Sequence, residues 1–437
     1  MTCMAGKIPW IGATLFSVLL AFAAFDLRSP SGTSDALVVS CSAIGRELEL
    51  CQQGIEAWSR KSGVPVRALP APSSSADRLG FYLQLLAAES PDIDVFAIDT
   101  TWPGMIGDFF VDLKPRLDPS ELAAHYPEFI RNNTVAGKLV ALPWFMDAGL
   151  LYYRKDLLEA AGLPVPRTWD ELAAAAHTVQ LKAREQGNTT LWGYVFQGRA
   201  YEGLTCNALE WVASYGGGTV VSDEGRITIE NPQAARALQT VASWIGTISP
   251  TGVLSYGEEE TRGAFQSGHA VFMRNWPYAW KLAQATDSPV RDRVGVAPLP
   301  TGPRDLPGSR SASTLGGWSL GVSRFSRHAD QAVALVRFLA GFEEQRRRAI
   351  EAGFQPTLRA LYGDPAILRE VPFLFRLAGV FESSIARPSR STGARYNRVS
   401  SEFWETTHEI LSGKVQAGEG LSKLAARLEK LRKGGKW

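Results

Sequence analysis

From Leu37 to Asp99 two hydrophobic patterns alternate, and that alternation restricts the fold more than any other feature of the chain. "LVVSCS" (37–42) is a short continuous apolar run of the kind a buried strand needs. "RELELCQQGIEAWSRKSG" (46–63) then sets Leu50, Ile55, Ala57 and Trp58 near helical spacing, with Gly63 as a stop. "VPVRAL" (64–69) reads as a second strand, "RLGFYLQLLAAES" (78–90) as a second helix and "IDVFAID" (93–99) as a third strand. Strand, helix, strand, helix, strand predicts an α/β domain with a mostly parallel sheet. Such sheets bind ligands beyond the carboxyl ends of their strands, where Asp99 and Trp102 stand.

The rest of the chain is long enough for a second domain, since 437 residues exceed one ordinary core. "KLVALPWF" (138–145) is strand-like. In "PRTWDELAAAAHTVQLKAREQG" Thr168 and Glu171 form a capping box ahead of an Ala-rich helix. "NPQAARALQTVASWIG" has Asn231 as N-cap, Pro232 at the first helical position and Gly246 past the end. "VGVAPLP" (294–300) is extended, a Pro/Gly/Ser-rich loop follows, and "LGGWSLGVS" (315–323) is a strand. The C-terminal part is helical, with Leu421, Leu424, Leu428 and Leu431 on one face. "EEQRRRAI" (343–350) reads as a solvated helix face.

Charge excludes one class of partner. With 46 basic and 44 acidic residues the net charge is +2, and the basic residues are scattered, so nucleic acid is not expected. At the N-terminus Lys7 precedes 18 uncharged residues, Ile8 to Phe25. This predicts a signal peptide and leader over 1–35, with small residues at Ala21, Ala23 and Ala24 for cleavage. An uncleaved membrane anchor is the alternative. The mature chain is then periplasmic or extracellular. In an oxidising compartment Cys41 and Cys51 are candidates for a disulfide, against two small buried side chains; Cys3 falls in the signal region and Cys206 has no evident mate.

Six stretches carry a resemblance: "IDVFAIDTTWPG" (93–104), "LPWFMDAGLLYYRKDLLEAAGLPVPRTWDEL" (142–172), "WGYVFQGRAYEGLTCNALEW" (192–211), "FQSGHAVFMRNWPYAW" (265–280), "LGGWSLGVS" and "ARPSRSTGARYNRVSSEFW" (386–404). In wording and order the chain resembles the extracellular solute-binding proteins of ABC sugar importers, above all those for trehalose and maltose. The resemblance implies two α/β lobes, each a sheet flanked by helices, joined by three hinge crossings with the ligand held between. It places lobe one at 36–144 plus 299–358 and lobe two at 145–298 plus 359–437. The first crossing falls near Pro143 to Phe145 and the second at Ala297 to Pro300. The implied partners are an α-linked disaccharide (trehalose, maltose or sucrose) and the permease subunits of a transporter. A monomer without cofactor is implied.

A sugar presents apolar C–H faces and polar edges, so its site needs flat aromatic area beside charge-assisted hydrogen bonds. By the resemblance, Trp276, Tyr278 and Trp318 face the ligand, and Gly317 lets the backbone approach it. Asp99 and Asp147 accept from hydroxyls and Arg387 contacts the sugar. Phe145 stands where some relatives have a Tyr, so a stacking face remains and a hydroxyl is lost. From its own position, where the first strand gives way to the first helix, Glu47 reaches toward the cleft. Trp102 and Tyr201, with Arg199 and Glu202 beside the latter, complete the candidates. Trp280, one helical turn past Trp276, reads as core.

Two other classes compete. A secreted glycoside hydrolase also needs aromatics and two carboxylates, but no further acid/base motif appears. A peptide or polyamine binder on the same fold needs groups for termini, or more converging carboxylates. The 5 His residues (125, 177, 269, 328 and 408) are isolated, so no metal site is expected. "GGG" at 216–218 lacks the Lys-Ser/Thr of a phosphate loop.

Overall fold

The computed structural model describes residues 36–373, 380, 384–432, 434 and 436–437. The expected signal segment, Cys3 included, lies outside the described residues. In chain order the strands are β1 (Leu37–Ser42), β2 (Val66–Ala71), β3 (Val95–Asp99), β4 (Thr134–Val135), β5 (Lys138–Leu139), β6 (Leu142–Ala148), β7 (Leu150–Arg154), β8 (Trp192–Val195), β9 (Ala270–Asn275), β10 (Val294–Ala297) and β11 (Leu315–Val322). They form two principal sheets, ordered β2-β1-β3-β11-β6 and β10-β7-β9-β8, with β4 and β5 as a small ribbon.

In the first sheet β2, β1 and β3 pair in parallel, and β11 runs antiparallel to both its neighbours, β3 and β6, so that it alone is reversed. The second is mostly antiparallel, with β8 alone parallel to β9. The expectation of a mostly parallel sheet therefore holds for the N-terminal run and not beyond it. β11, which enters the first sheet after the chain has passed through the second, runs opposite to the other strands, and a local pattern does not reveal this.

Local signals act where expected. Thr168 and Glu171 form the capping box of helix Trp169–Glu185, and the Asn231 side chain caps Pro232–Trp244. Ser74 accepts from the Asp77 N–H, which starts helix Ser75–Ala87 earlier than its apolar pattern suggests. The "EEQRRRAI" expectation is corrected: Glu344, Gln345, Arg348 and Ala349 of helix Phe342–Ala352 are buried. Their spacing puts one stripe of the charged run against the core, where long side chains lay their stems on apolar surface.

The crossings also differ from the expected boundaries. β6 stays in the first sheet through Ala148 and β7 opens the second at Leu150, so the first crossing is at Gly149, not Pro143 to Phe145. Leu299 belongs to the second lobe's core, and Gly302 and Arg310 N–H groups donate to Ser214 O. The loop from Leu299 to Arg310 thus packs on the second lobe, and the second crossing is at Ser313–Thr314, ahead of β11. A third passage leads from Phe354, in the first core, to Leu358 and Leu361 in a seam that also holds Ala148, Leu150 and Met273. Cys41 of β1 and Cys51 of helix Glu47–Ser62 are bonded, with Cα atoms 6.2 Å apart; Cys206 is buried and free. Among the described residues no helix is long and apolar enough to cross a membrane.

Candidate functional site

Register builds one wall of the site. β11 pairs with β3 so that Trp318 lies opposite Asp99, and with β6 so that Trp318 lies opposite Phe145. Directly opposed antiparallel residues project to the same face. Three candidates separated by up to 219 positions therefore stand side by side. The register shifts after Trp318, a bulge that re-aims side chains at the sheet's end. Gly317 has φ 133°, and a Cβ there would lie 2.6 Å from the Phe145 carbonyl oxygen, so only glycine fits.

The second lobe supplies the facing wall from "RNWPY". Arg274 and Asn275 are fully buried at the end of β9, yet both are partnered. Arg274 Nε and Nη2 donate to Glu210 at 2.8 and 2.5 Å, and Nη1 donates to Gln197 Oε1 at 3.1 Å. Asn275 Oδ1 accepts from the Trp276 N–H at 2.8 Å, and the Tyr152 hydroxyl donates to Trp276 O at 2.8 Å. The guanidinium of Arg274 lies 3.8 Å from the Trp276 ring centroid. Tyr278 donates its hydroxyl to Glu259 Oε1 at 2.7 Å. The segment is core up to Asn275 and wall from Trp276 onward.

Between these walls lies a chamber of about 60 Å³. It is lined by Glu47, Asp99, Phe145, Asp147, Trp276, Tyr278, Gly317, Trp318 and Arg387, which the sequence marked. Trp102 and Tyr201 do not line it. Trp102 turns into the first core, edge-on to Trp318 at 5.4 Å and to Tyr82 at 5.8 Å. Tyr201 is buried beneath Arg199, whose guanidinium is 4.5 Å from its ring. Trp280 packs edge-on to Phe373 at 5.1 Å, away from the chamber. Glu202, named beside Tyr201 as a candidate, also lines it, and unmarked lining residues include Ser73, Cys206, Glu258 and Phe354. The signal for Glu202 was its place at a helix start just beyond the carboxyl end of β8. Phe354 follows a helix end and has no periodic signature.

Arg387 joins the lobes. Its Nη2 donates to Asp99 Oδ1 at 2.9 Å and Thr100 Oγ1 at 3.1 Å, while Nη1 donates to Glu202 Oε1 at 2.8 Å. Glu202 also accepts from the hydroxyls of Tyr396 and Ser400. Arg387 lines both the chamber and a wider groove of about 620 Å³, which Thr100, Phe129, Thr219 and Ile385 also line.

On the other side the polar atoms are less complete. Glu47 Oε1, Asp147 Oδ1 and the Nε of Arg387 are buried and find no partner in the protein. Burial pushes the Asp147 carboxyl well above the usual carboxylate range, with the Glu47 and Asp99 charges adding and Arg274 and Arg348 opposing. Burial also raises Glu47, against Arg78 and Arg348. The Arg78 guanidinium lies 4.3 Å from the Trp318 ring centroid. An arrangement of two aromatic walls with unmatched donors and acceptors can hold a neutral molecule rich in hydroxyls.

Comparison with known proteins agrees with this architecture. A family model described as bacterial extracellular solute-binding protein matches residues 48–346. A protein of Deinococcus radiodurans named a probable ABC transporter-binding protein is 43% identical over 97% of this chain and 99% of its own length. The maltose-bound MalE3 structure of T. maritima superposes with a TM-score of 0.85 at 39% identity, covering 91% of this chain and 99% of that one. A mannitol-bound solute-binding protein of Agrobacterium vitis shares the fold at TM-score 0.77 and 20% identity, with 92% and 99% covered. The chain belongs to the family of bacterial extracellular solute-binding proteins.

Proposed function

We propose that the protein captures an α-linked disaccharide, trehalose first and maltose or sucrose next, between its lobes and delivers it to the permease of an ABC importer. The observation that carries this reading is the chamber itself. Trp318 from one lobe and Trp276 from the other flank unmatched carboxylate and guanidinium groups, which together meet the two kinds of surface a sugar presents. The likeness to a maltose-bound protein at 39% identity supports the ligand class. Arg387, held by both lobes, lines the chamber and the wider groove alike and favours a short ligand over a long chain. The site's charges favour a neutral one: three guanidinium groups, Arg387, Arg78 and Arg348, stand against three carboxylates, Asp99, Glu202 and Glu47.

A chamber of about 60 Å³ holds a few waters and not a disaccharide, so entry requires the lobes to part or side chains to move. The ligand then favours the closed arrangement by its higher affinity for that state. Binding is expected at micromolar or tighter, about 8 kcal/mol or more. At about 100-fold excess over the dissociation constant the sugar adds about 2.7 kcal/mol of stability. A thermal-shift screen with titration calorimetry over disaccharides, polyols, amino acids and polyamines tests it. A shift with an amine or amino acid and none with any disaccharide overturns the reading, and release of monosaccharide during incubation favours a hydrolase.

A further inference from the structure

We infer that Glu210 is a positioning residue for ligand capture: through its ion pair with Arg274 it fixes the Trp276 ring and ties that ring to the first and second chain crossings. The inference rests on the reading of the chamber as a sugar site, yet Glu210 does not line that chamber.

The chain of contacts is continuous. Glu210, on helix Glu202–Ser214, is buried and receives Arg274 on both carboxylate oxygens, at 2.8 Å on Oε2 and 2.5 Å on Oε1. Paired in this way the guanidinium is held flat, and its face lies 3.8 Å from the centre of the Trp276 ring. A lysine in its place would offer neither the fork nor the flat face. The same Oε1 accepts the Thr314 N–H at 3.0 Å, on the second crossing. Next to it, Ser313 Oγ donates to the carbonyl of Gly149 at 2.7 Å, on the first crossing. A Cβ at Gly149 would come within 2.1 Å of Glu210 Oε1 and 2.5 Å of Arg274 Nη2, so the ion pair is packed directly against that backbone. Thr314 Oγ1 donates to Cys206 O at 2.9 Å, one helical turn before Glu210. One carboxylate therefore meets a chamber aromatic, through Arg274, and two of the three passages between the lobes.

A purely structural ion pair would affect stability and leave Trp276 out of account. The distinguishing experiment is a double-mutant cycle on sugar binding. The pair is replaced by apolar residues of similar reach, Glu210→Leu with Arg274→Met, a change that often preserves or raises stability. It is made in the parent and in Trp276→Ala, with calorimetry against trehalose and maltose and melting curves for all four proteins. The replacement is expected to weaken binding about tenfold or more in the parent and less than about twofold when Trp276 is absent. Equal losses in both backgrounds, or no loss in the parent, overturn the inference. If the double replacement does not fold, Glu210→Gln is read in the same two backgrounds, with Glu210→Asp expected to retain part of the affinity. A readout without sugar separates this inference from the ligand assignment. The fluorescence difference between the parent and Trp276→Phe reports the ring's surroundings, and it should change when the pair is replaced. If that difference changes while no sugar binds, the ligand reading fails and the positioning role stands; if it is unaltered, the positioning role fails.

Discussion

Two buried arginines beside the same chamber are held in opposite ways. Arg274, on the second lobe, has its guanidinium nitrogens bonded to Glu210 and Gln197. Arg348, on the first, has no protein partner on Nε, Nη1 or Nη2 and lies among rings, 3.8 Å from the centroid of Trp144 and 4.5 Å from that of Phe354. Burial lowers its pKa to about 10. Around it Trp144 Nε1 and both amide atoms of Gln355 are also unmatched, as are Glu47 Oε1 and Asp147 Oδ1. One guanidinium is thus fully hydrogen-bonded, and the other is held by ring faces and nearby carboxylates without a hydrogen bond. Unmatched buried polar groups cost free energy, so a fold retains them where something other than stability is served. On the proposed reading, the Arg274 pair is frame, while Glu47 and Asp147, which line the chamber, are groups that a ligand completes.

The strongest test of that contrast removes each guanidinium in turn. Arg274→Ala leaves Glu210 buried without its cation and should cost about 3–5 kcal/mol in urea unfolding. Arg348→Met keeps the volume and strands no hydrogen bond but removes one of the two cations facing Glu47, so it should cost about 1–2 kcal/mol, less than Arg274→Ala. Equal losses for the two would dissolve the distinction. Next in size are the aromatic walls. Trp276→Ala and Trp318→Ala should each weaken sugar binding by about 2–4 kcal/mol in calorimetry. Trp280→Ala should lower the melting point more than the affinity, since its ring packs on Phe373. A Trp276→Ala protein that binds like the parent but melts far earlier would make that wall core as well.

Covalent chemistry compensates on the less bonded side. The Cys41–Cys51 bond fastens β1 to the first turns of the helix that begins at Glu47. Reduction opens a short loop and should lower stability by about 2–3 kcal/mol. Mass spectrometry of unreduced, alkylated protein should find Cys41 and Cys51 protected and Cys206 as a thiol. Labelling of all three without reductant would remove the disulfide from the account.

How much of this could be read in the sequence depends on the range of the interaction. Helix caps at Thr168 and Asn231 are decided by atoms three residues apart, and the text shows them. The alignment of Asp99, Trp318 and Phe145 depends on sheet register between distant segments, and it became legible only because "GGW" and "PWFMD" resemble a known family. Trp102 follows Asp99 closely and was assigned to the same face, but the chain turns into a short helix at Pro103 and directs the ring inward. The crossing at Gly149 was missed because strand propensity is continuous from Leu142 to Arg154, while the change of sheet is set by tertiary packing against Glu210. Arg348 was hidden in a charged run whose solvated appearance reverses once the helix is docked.

The smallest expected effect concerns Asp147, and it tests the meaning of an unmatched group. Burial raises its pKa first, Glu47 and Asp99 add to the rise, and Arg274 and Arg348 oppose it. A carboxyl raised on folding contributes stability that is fully present below its unfolded pKa and is lost as pH rises through the folded value. Asp147→Asn carries no such proton. Without ligand the variant should therefore be more stable than the parent above the raised pKa. The difference should shrink as pH falls toward the ordinary carboxylate range, where the parent's Asp147 is protonated. Sugar binding should move the other way wherever the parent's Asp147 is ionised, because the amide then replaces a charged acceptor with a weaker one; a loss of about 1.5 kcal/mol is expected there. Melting curves of both proteins across acidic to neutral pH, with and without sugar, read the two effects together. A variant that loses stability at every pH would show that Asp147 belongs to the frame, and the division between the two sides of the chamber would have to be redrawn at that residue.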